Sequence, residues 1–265
     1  MSVTTEKGRR ILVPGDLDEG ALDGFFTELD ITLEETPKEI SLDCSLLDHA
    51  TSGHINVLWD AQTRCEHAGI PMRLLSVRFG LERVLRILDL FDLFTVEQVT
   101  TAPGDDATGG RIGAFMPPAL ELELRSTMED VSEAVVRLHD YLVRLGLPGS
   151  YAFDMETVFY EVATNVRRHG GLGENELMSI RVIPGEERVS LRFADPGQPF
   201  DPTGRKTMFD PRQAIRLKQT NGIGLTMIKR LVDTISYERV GNRLNVLTLE
   251  KKISPGWRWR DDISE

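Results

Sequence analysis

Residues 153–169, FDMETVFYEVATNVRRH, decide how the second half of this chain folds. Phe159, Val162, Ala163 and Val166 recur at helical spacing, which predicts a helix with one side in a core. Glu161, Asn165 and His169 stand four residues apart and share another face of that helix. Polar side chains at this spacing usually mark a solvated surface. A carboxylate and a carboxamide one turn apart are also what a Mg2+-nucleotide site uses. The amide oxygen is a neutral hard ligand, and the carboxylate can orient or deprotonate an attacking hydroxyl.

Two stretches downstream carry the same ambiguity. Asp195–Pro202, DPGQPFDP, directly follows an apolar run that predicts a strand. An acidic side chain at a strand end can accept a hydrogen bond from an exocyclic amine, and Gly197 lets backbone come close to a planar ring. Asp, Gly and Pro together also make an ordinary turn. Asn221-Gly222-Ile223-Gly224-Leu225 opens an apolar-periodic stretch in which Leu225, Ile228, Val232 and Ile235 face inward. Gly222 and Gly224 at a helix N-terminus expose N–H groups that can hold phosphate oxygens, or they simply end a loop.

Around these stretches the apolar pattern predicts strand 120–124, helices 131–145 and 153–169, strands 178–183 and 188–194, helix 225–234, and closing strands 235–240 and 244–251. The expected architecture is an α/β two-layer sandwich with a mixed sheet over residues 119–252, followed by a tail, 253–265, in which Trp257 and Trp259 stand between arginines. Residues 101–118, TAPGDDATGGRIGAFMPP, read as a linker. Ahead of it, residues 1–100 alternate strand 11–13, helix 21–34, strand 39–43, helix 53–67, strand 72–76 and helix 81–91, a second α/β domain.

The formal charge of -11 is unevenly spread, with 9 basic and 18 acidic residues in 1–100 against 22 and 24 in the remainder. So acidic a first half argues against non-specific binding to nucleic acid or to an anionic membrane and suits a basic partner surface or plain solubility. No recognition motif for DNA is present. Met1–Gly15 carries no charged-then-apolar leader, and no apolar run reaches the ~18 residues a membrane span needs, so the expected location is the cytoplasm. Cys44 and Cys65 lack metal-type spacing and read as buried free thiols.

Taken in order, Glu161…Asn165, Asp195…Gly197 and Gly222…Gly224 resemble the N, G1 and G2 boxes of the GHKL (Bergerat-fold) ATPases. Tyr160–His169 (YEVATNVRRH), Asp195–Pro202 and Gly222–Leu249 further resemble the anti-sigma-factor serine kinases. The resemblance implies ATP as ligand, Glu161 as general base, Asn165 on Mg2+, Asp195 on the adenine amine and the Gly222–Gly224 loop on phosphates. It also implies a sigma factor, a STAS-type anti-sigma antagonist and a serine phosphatase as partners, phosphorylation of an antagonist hydroxyl, and pairing of two copies of the chain. Two residues depart from the pattern: Pro199 stands where a DxGxG box has its second glycine, and Thr220 takes the first position of GxGxG. Between the boxes, Arg205, Lys206, Arg212, Arg216 and Lys218 make a basic lid segment, suited to a triphosphate or simply solvated.

Residues 42–96 resemble the STAS fold of anti-sigma-factor antagonists, as does Gly15-Asp16-Leu17-Asp18 after the first strand. The phosphorylated position of that family falls on Thr51 in Ala50-Thr51-Ser52-Gly53, with Ser52 as the alternative acceptor; Ala50 replaces the usual acid. A phosphate there would add nearly two charges beside free helix N–H groups. Alternatively, either hydroxyl serves only to cap the helix.

Overall fold

The structure, a computed structural model, describes residues 8–97, 116–173, 176–204, 222–255, 257 and 259. Two compact units divide the chain.

The first unit is an alternating β/α domain. Strands β1 (Arg9–Leu12), β2 (Ile40–Asp43), β3 (Met72–Leu75) and β4 (Thr95–Val96) pair in that order, all parallel. Helices α1 (Glu19–Glu34), α2 (Ser52–Ala68) and α3 (Phe79–Ile87) make the crossovers that parallel neighbours require. Asp18 caps α1, its carboxylate accepting from the Ala21 N–H at 2.8 Å. Gly69, left-handed at φ 70°, ends α2. Arg64 of α2 lies 4.4 Å over the Phe26 ring of α1 and pairs with Asp30 at 2.5 Å, tying the two helices together. The expected helix 81–91 ends earlier, at Ile87, because Asp89 turns left-handed (φ 56°) and sends the chain through a 3-10 turn, Phe91–Leu93, into β4. Burial pushes the Cys44 thiol up to about 12 and Cys65 up to about 11, so both stay protonated.

The second unit layers helices on an antiparallel sheet. Its strands β5 (Leu120–Arg125), β6 (Leu177–Pro184), β7 (Arg188–Asp195), β8 (Thr234–Val240) and β9 (Leu244–Lys252) run in the order β5-β6-β7-β9-β8. The mixture of pairings expected within this sheet is instead divided between the two units: among the described residues every pairing here is antiparallel, and every pairing in the first unit is parallel. Helices α4 (Met128–Arg144), α5 (Gly149–His169) and α6 (Ile223–Leu231) complete it. Thr127 caps α4 by accepting from the Asp130 N–H at 3.1 Å. Phe159 of α5 is fully buried, its ring 5.5 Å from that of Phe193 on β7. The Lys251 ammonium of β9 meets the buried Asp154 of α5 at 3.0 Å and donates to the Leu231 carbonyl that ends α6 at 2.7 Å. In the tail, Trp259 is buried and its indole N–H donates to the Gly185 carbonyl in the β6–β7 turn. Among the described residues no helix is long and apolar enough to cross a membrane.

Candidate functional site

The site lies within the second unit, in a cleft between α5, α6 and the end of the sheet. Val162 and Val166 line one side, Phe193, Leu247 and Leu249 the floor, and Leu225 and Ile228 of α6 the other side. Asn165, His169 and Asp195 are among the polar groups that reach it. Apolar walls around a few placed polar groups are the usual makeup of a small-molecule site.

Asp195 is the last residue of β7, and the β7–β9 register puts Asn245 directly opposite it. Both are about 5% exposed. The Asn245 amide nitrogen donates to Asp195 Oδ1 at 2.9 Å and to the Gln198 carbonyl at 3.0 Å. The Asn245 Oδ1 accepts from the Tyr237 hydroxyl at 2.8 Å and from Arg239 at 2.6 Å. These partners fix which way the amide points. Asp195 Oδ1 also accepts from the Gly197 N–H at 2.9 Å, so the second carboxylate oxygen is the one left for a ligand. A buried carboxylate held in this way is an acceptor waiting for a donor such as an exocyclic amine.

Gly197 answers a packing need as well as the one its motif suggests. A Cβ there would lie 2.5 Å from the Gly170 carbonyl oxygen and 2.8 Å from Asp195 Oδ1. The bare backbone lets the turn dock on the end of α5, where the Gln198 N–H donates to that same carbonyl at 2.7 Å. Arg239 clasps the turn from the other side, donating to the Gly197 carbonyl at 2.8 Å.

Glu161 is buried on α5 one turn before the half-buried Asn165, and is not itself among the residues that line the cleft. Gly222 adopts φ 107°, open to glycine alone in practice, and immediately precedes α6. Gly224 lies in the first turn of that helix, next to the cleft residue Leu225. Arg205, Lys206, Arg212, Arg216, Lys218, Thr220 and Asn221 lie outside the described residues, as does most of the 101–118 stretch. Among the described residues no three His, Cys, Asp or Glu side chains converge as a metal site. Mg2+ on a nucleotide draws most of its ligands from phosphates and water, so one amide oxygen from Asn165 suits it.

Asn245, Tyr237 and Arg239 lie inside the Gly222–Leu249 stretch, but nothing in that stretch singles them out. Alternation along β8 and β9 announces two strands, but only their pairing shows that Asn245 meets Asp195.

In the first unit, Thr51 is the N-cap of α2 and Ser52 its first residue. The buried His54 reaches back, its Nδ1 accepting from the Thr51 N–H at 3.1 Å and lying 2.9 Å from the Thr51 hydroxyl. Its Nε2 lies 3.0 Å from the Gly15 carbonyl. Burial lowers the His54 pKa below the ordinary 6.5, against the pull of the Gly15 carbonyl and of Asp16. Unfolding therefore exposes an imidazole that takes up a proton the folded state refuses. The contribution of His54 to stability is complete above 6.5 and is lost as the pH falls below it. Hydrogen exchange along α2, corrected for intrinsic rates, should show the helix opening more readily at pH 5 than at pH 7. Equal opening energies would contradict this.

The comparisons with known proteins agree with this division. Residues 4–102 match the STAS domain family, and residues 124–251 match the histidine kinase-like ATPase domain family. No curated protein matches the chain. A solved structure, the SiaB-SiaC complex from Pseudomonas aeruginosa, is similar at 18% identity over 51% of this chain and 89% of that chain, with a TM-score of 0.38. The chain is thus a STAS domain followed by a histidine kinase-like ATPase domain.

Proposed function

We propose that the chain is an ATP-binding, partner-switching regulator whose second domain is a serine/threonine protein kinase of the anti-sigma-factor type. The observation that carries the ATP reading is the buried Asp195, oriented by Asn245, in an apolar cleft that Asn165 also lines. Adenine would lie between the apolar walls with its amine on Asp195. Asn165 would hold Mg2+ on the triphosphate, and Gly222 and Gly224 would give N–H groups to phosphate oxygens. The metal supplies charge neutralisation at the transferring phosphoryl group. Glu161 would take the proton of the attacking hydroxyl as the bond from oxygen to the γ-phosphorus forms and ADP leaves. The hydroxyl would belong to a STAS antagonist, either Thr51 or Ser52 of this chain or one on a separate protein, with a sigma factor and a serine phosphatase completing the circuit.

Incubation of the full chain with Mg2+ and γ-labelled ATP, with and without a separate STAS antagonist, tests this. Label should appear on a protein hydroxyl and fall by about 10²- to 10⁴-fold in Glu161→Ala. Thr51→Ala and Ser52→Ala identify a cis acceptor. ATP binding without label on any protein would instead support a nucleotide-gated adaptor, the reading favoured by Ala50 and Pro199. Phosphate release without protein label would mean a simple ATPase.

With both domains on one chain, a flexible tether of about 18 residues would have a span of roughly 23 Å and would give effective concentrations of order millimolar. The STAS domain would then compete in cis with an external partner. Removing residues 1–100 should tighten partner capture.

A further inference from the structure

We propose that Tyr237 is a second base-reading group of the cleft: its hydroxyl oxygen accepts one hydrogen of the purine's exocyclic amine while Asp195 accepts the other. The inference deepens the ATP reading above and rests on it for the occupant of the cleft.

Along β8 an exposed face alternates with one turned toward the cleft. Ser236 and Glu238 stand on the exposed face, and Ile235 and Tyr237 line the cleft beside Leu247 and Leu249 of β9. The β8–β9 register sets Tyr237 opposite Leu247, two residues along β9 from Asn245. The tyrosine thus reaches the end of the cleft that holds the buried carboxylate. Its ring continues the apolar wall and its oxygen adds a polar point to it.

The hydrogen bonds around Asn245 decide what that oxygen can do. Asn245 Nδ2 faces the Asp195 carboxylate at 2.9 Å and the Gln198 carbonyl at 3.0 Å, and both of these only accept. Its Oδ1 is therefore turned the other way, toward Arg239 at 2.6 Å and the Tyr237 hydroxyl at 2.8 Å. An amide oxygen cannot donate, so Tyr237 must, and a phenol has one proton to give. With that proton committed, the hydroxyl meets a ligand as an acceptor only.

The same holds for the remaining oxygen of Asp195, because Oδ1 already takes the Asn245 amide and the Gly197 N–H. Two acceptors consequently stand on either side of a single carboxamide. An exocyclic amine offers two N–H groups from one nitrogen and satisfies both. A ring carbonyl in its place would meet acceptors alone, and an amine carrying a substituent would be one hydrogen short. Asn245 assigns these roles, since it consumes the proton with which Tyr237 would otherwise greet a carbonyl.

One methyl group on the nucleotide tests this. The full chain, as wild type and as Tyr237→Phe, is titrated calorimetrically in the presence of Mg2+ with ATP and with ATP methylated once on its exocyclic amine. The methylated amine keeps one hydrogen for Asp195 and turns its methyl to Tyr237. The wild type should bind the methylated nucleotide about tenfold more weakly than ATP, since the Tyr237 oxygen loses its donor. Tyr237→Phe should bind ATP about fivefold more weakly than the wild type and keep no more than about a twofold preference for it, because a ring edge without the hydroxyl accommodates the methyl. If Tyr237 served only to hold Asn245, the variant would weaken both nucleotides in equal proportion, so an unchanged preference overturns the proposal. Equal binding of the two nucleotides by the wild type also overturns it, and that measurement needs no variant to fold. Either result with ATP still bound leaves the ATP reading standing. Absence of binding by both nucleotides would defeat the ATP reading itself, and this inference with it.

Discussion

Asp195→Asn should lower the affinity for ATP about a hundredfold while leaving the fold in place. The substitution keeps the shape of the side chain and removes its charge. Position 195 must still accept from the Gly197 N–H and from Asn245, so the oxygen of the new amide stays where Oδ1 is now. Its nitrogen then takes the place of the second oxygen, and the adenine amine finds a donor facing a donor. A lost charge-assisted hydrogen bond is worth about 1.5–3 kcal/mol, and 2.7 kcal/mol is roughly a hundredfold. Asn245→Ala should cost about tenfold by releasing the carboxylate, and the double variant should cost less than the two combined, since both act on one contact. Calorimetric titration with ATP decides, with GTP as a control because guanine has no amine at the corresponding ring position. Unchanged affinity in Asp195→Asn would remove the basis for assigning adenine to this cleft.

Phe159→Ala should destabilise the ATPase domain by about 3–5 kcal/mol, the usual cost of emptying a core site of this size. Phe159 is fully buried, and its contact with Phe193 joins α5 to the sheet immediately behind the cleft. The cavity would be apolar and would remain dry. In a domain of this size the unfolding temperature should fall by about 10 °C or more. Scanning calorimetry checks this, and a change below about 1 kcal/mol would mean that the helix and sheet repack around the void. Losing this contact should also weaken nucleotide binding, because Phe193 lines the cleft from its other side.

The parts of the molecule visible in the sequence were those carried by local pattern. The apolar spacing of Phe159, Val162 and Val166 announced α5, and the alternation along 178–183 and 188–194 announced β6 and β7. The two-residue β4 was invisible because nothing so short has a period, and α3 stopped early because the left-handed Asp89 carries no glycine to mark it. At the cleft, Asn165 and Asp195 were legible because a family motif contains them. Asn245 was not: it lies 50 residues from Asp195, and only the register of β7 against β9 unites them. For Gly197 the motif was visible but its physical demand was not, since the clash it avoids is with Gly170 across the fold. His54 could have been noticed, because the third residue of a helix commonly reaches back to its cap. The sequence around it drew attention to its hydroxyls instead.

The contact of Lys251 with Asp154 and with the Leu231 carbonyl has a mechanical meaning. One ammonium fastens the far end of α6 to α5 and to β9. The opposite end of α6, beginning after the left-handed Gly222, is the end that faces the proposed phosphates. A nucleotide pulling on that first turn would swing α6 about the Lys251 pivot rather than slide it. A helix anchored in this way at one end would act as a lever, and a ligand in the cleft would be felt as a tilt of its glycine end.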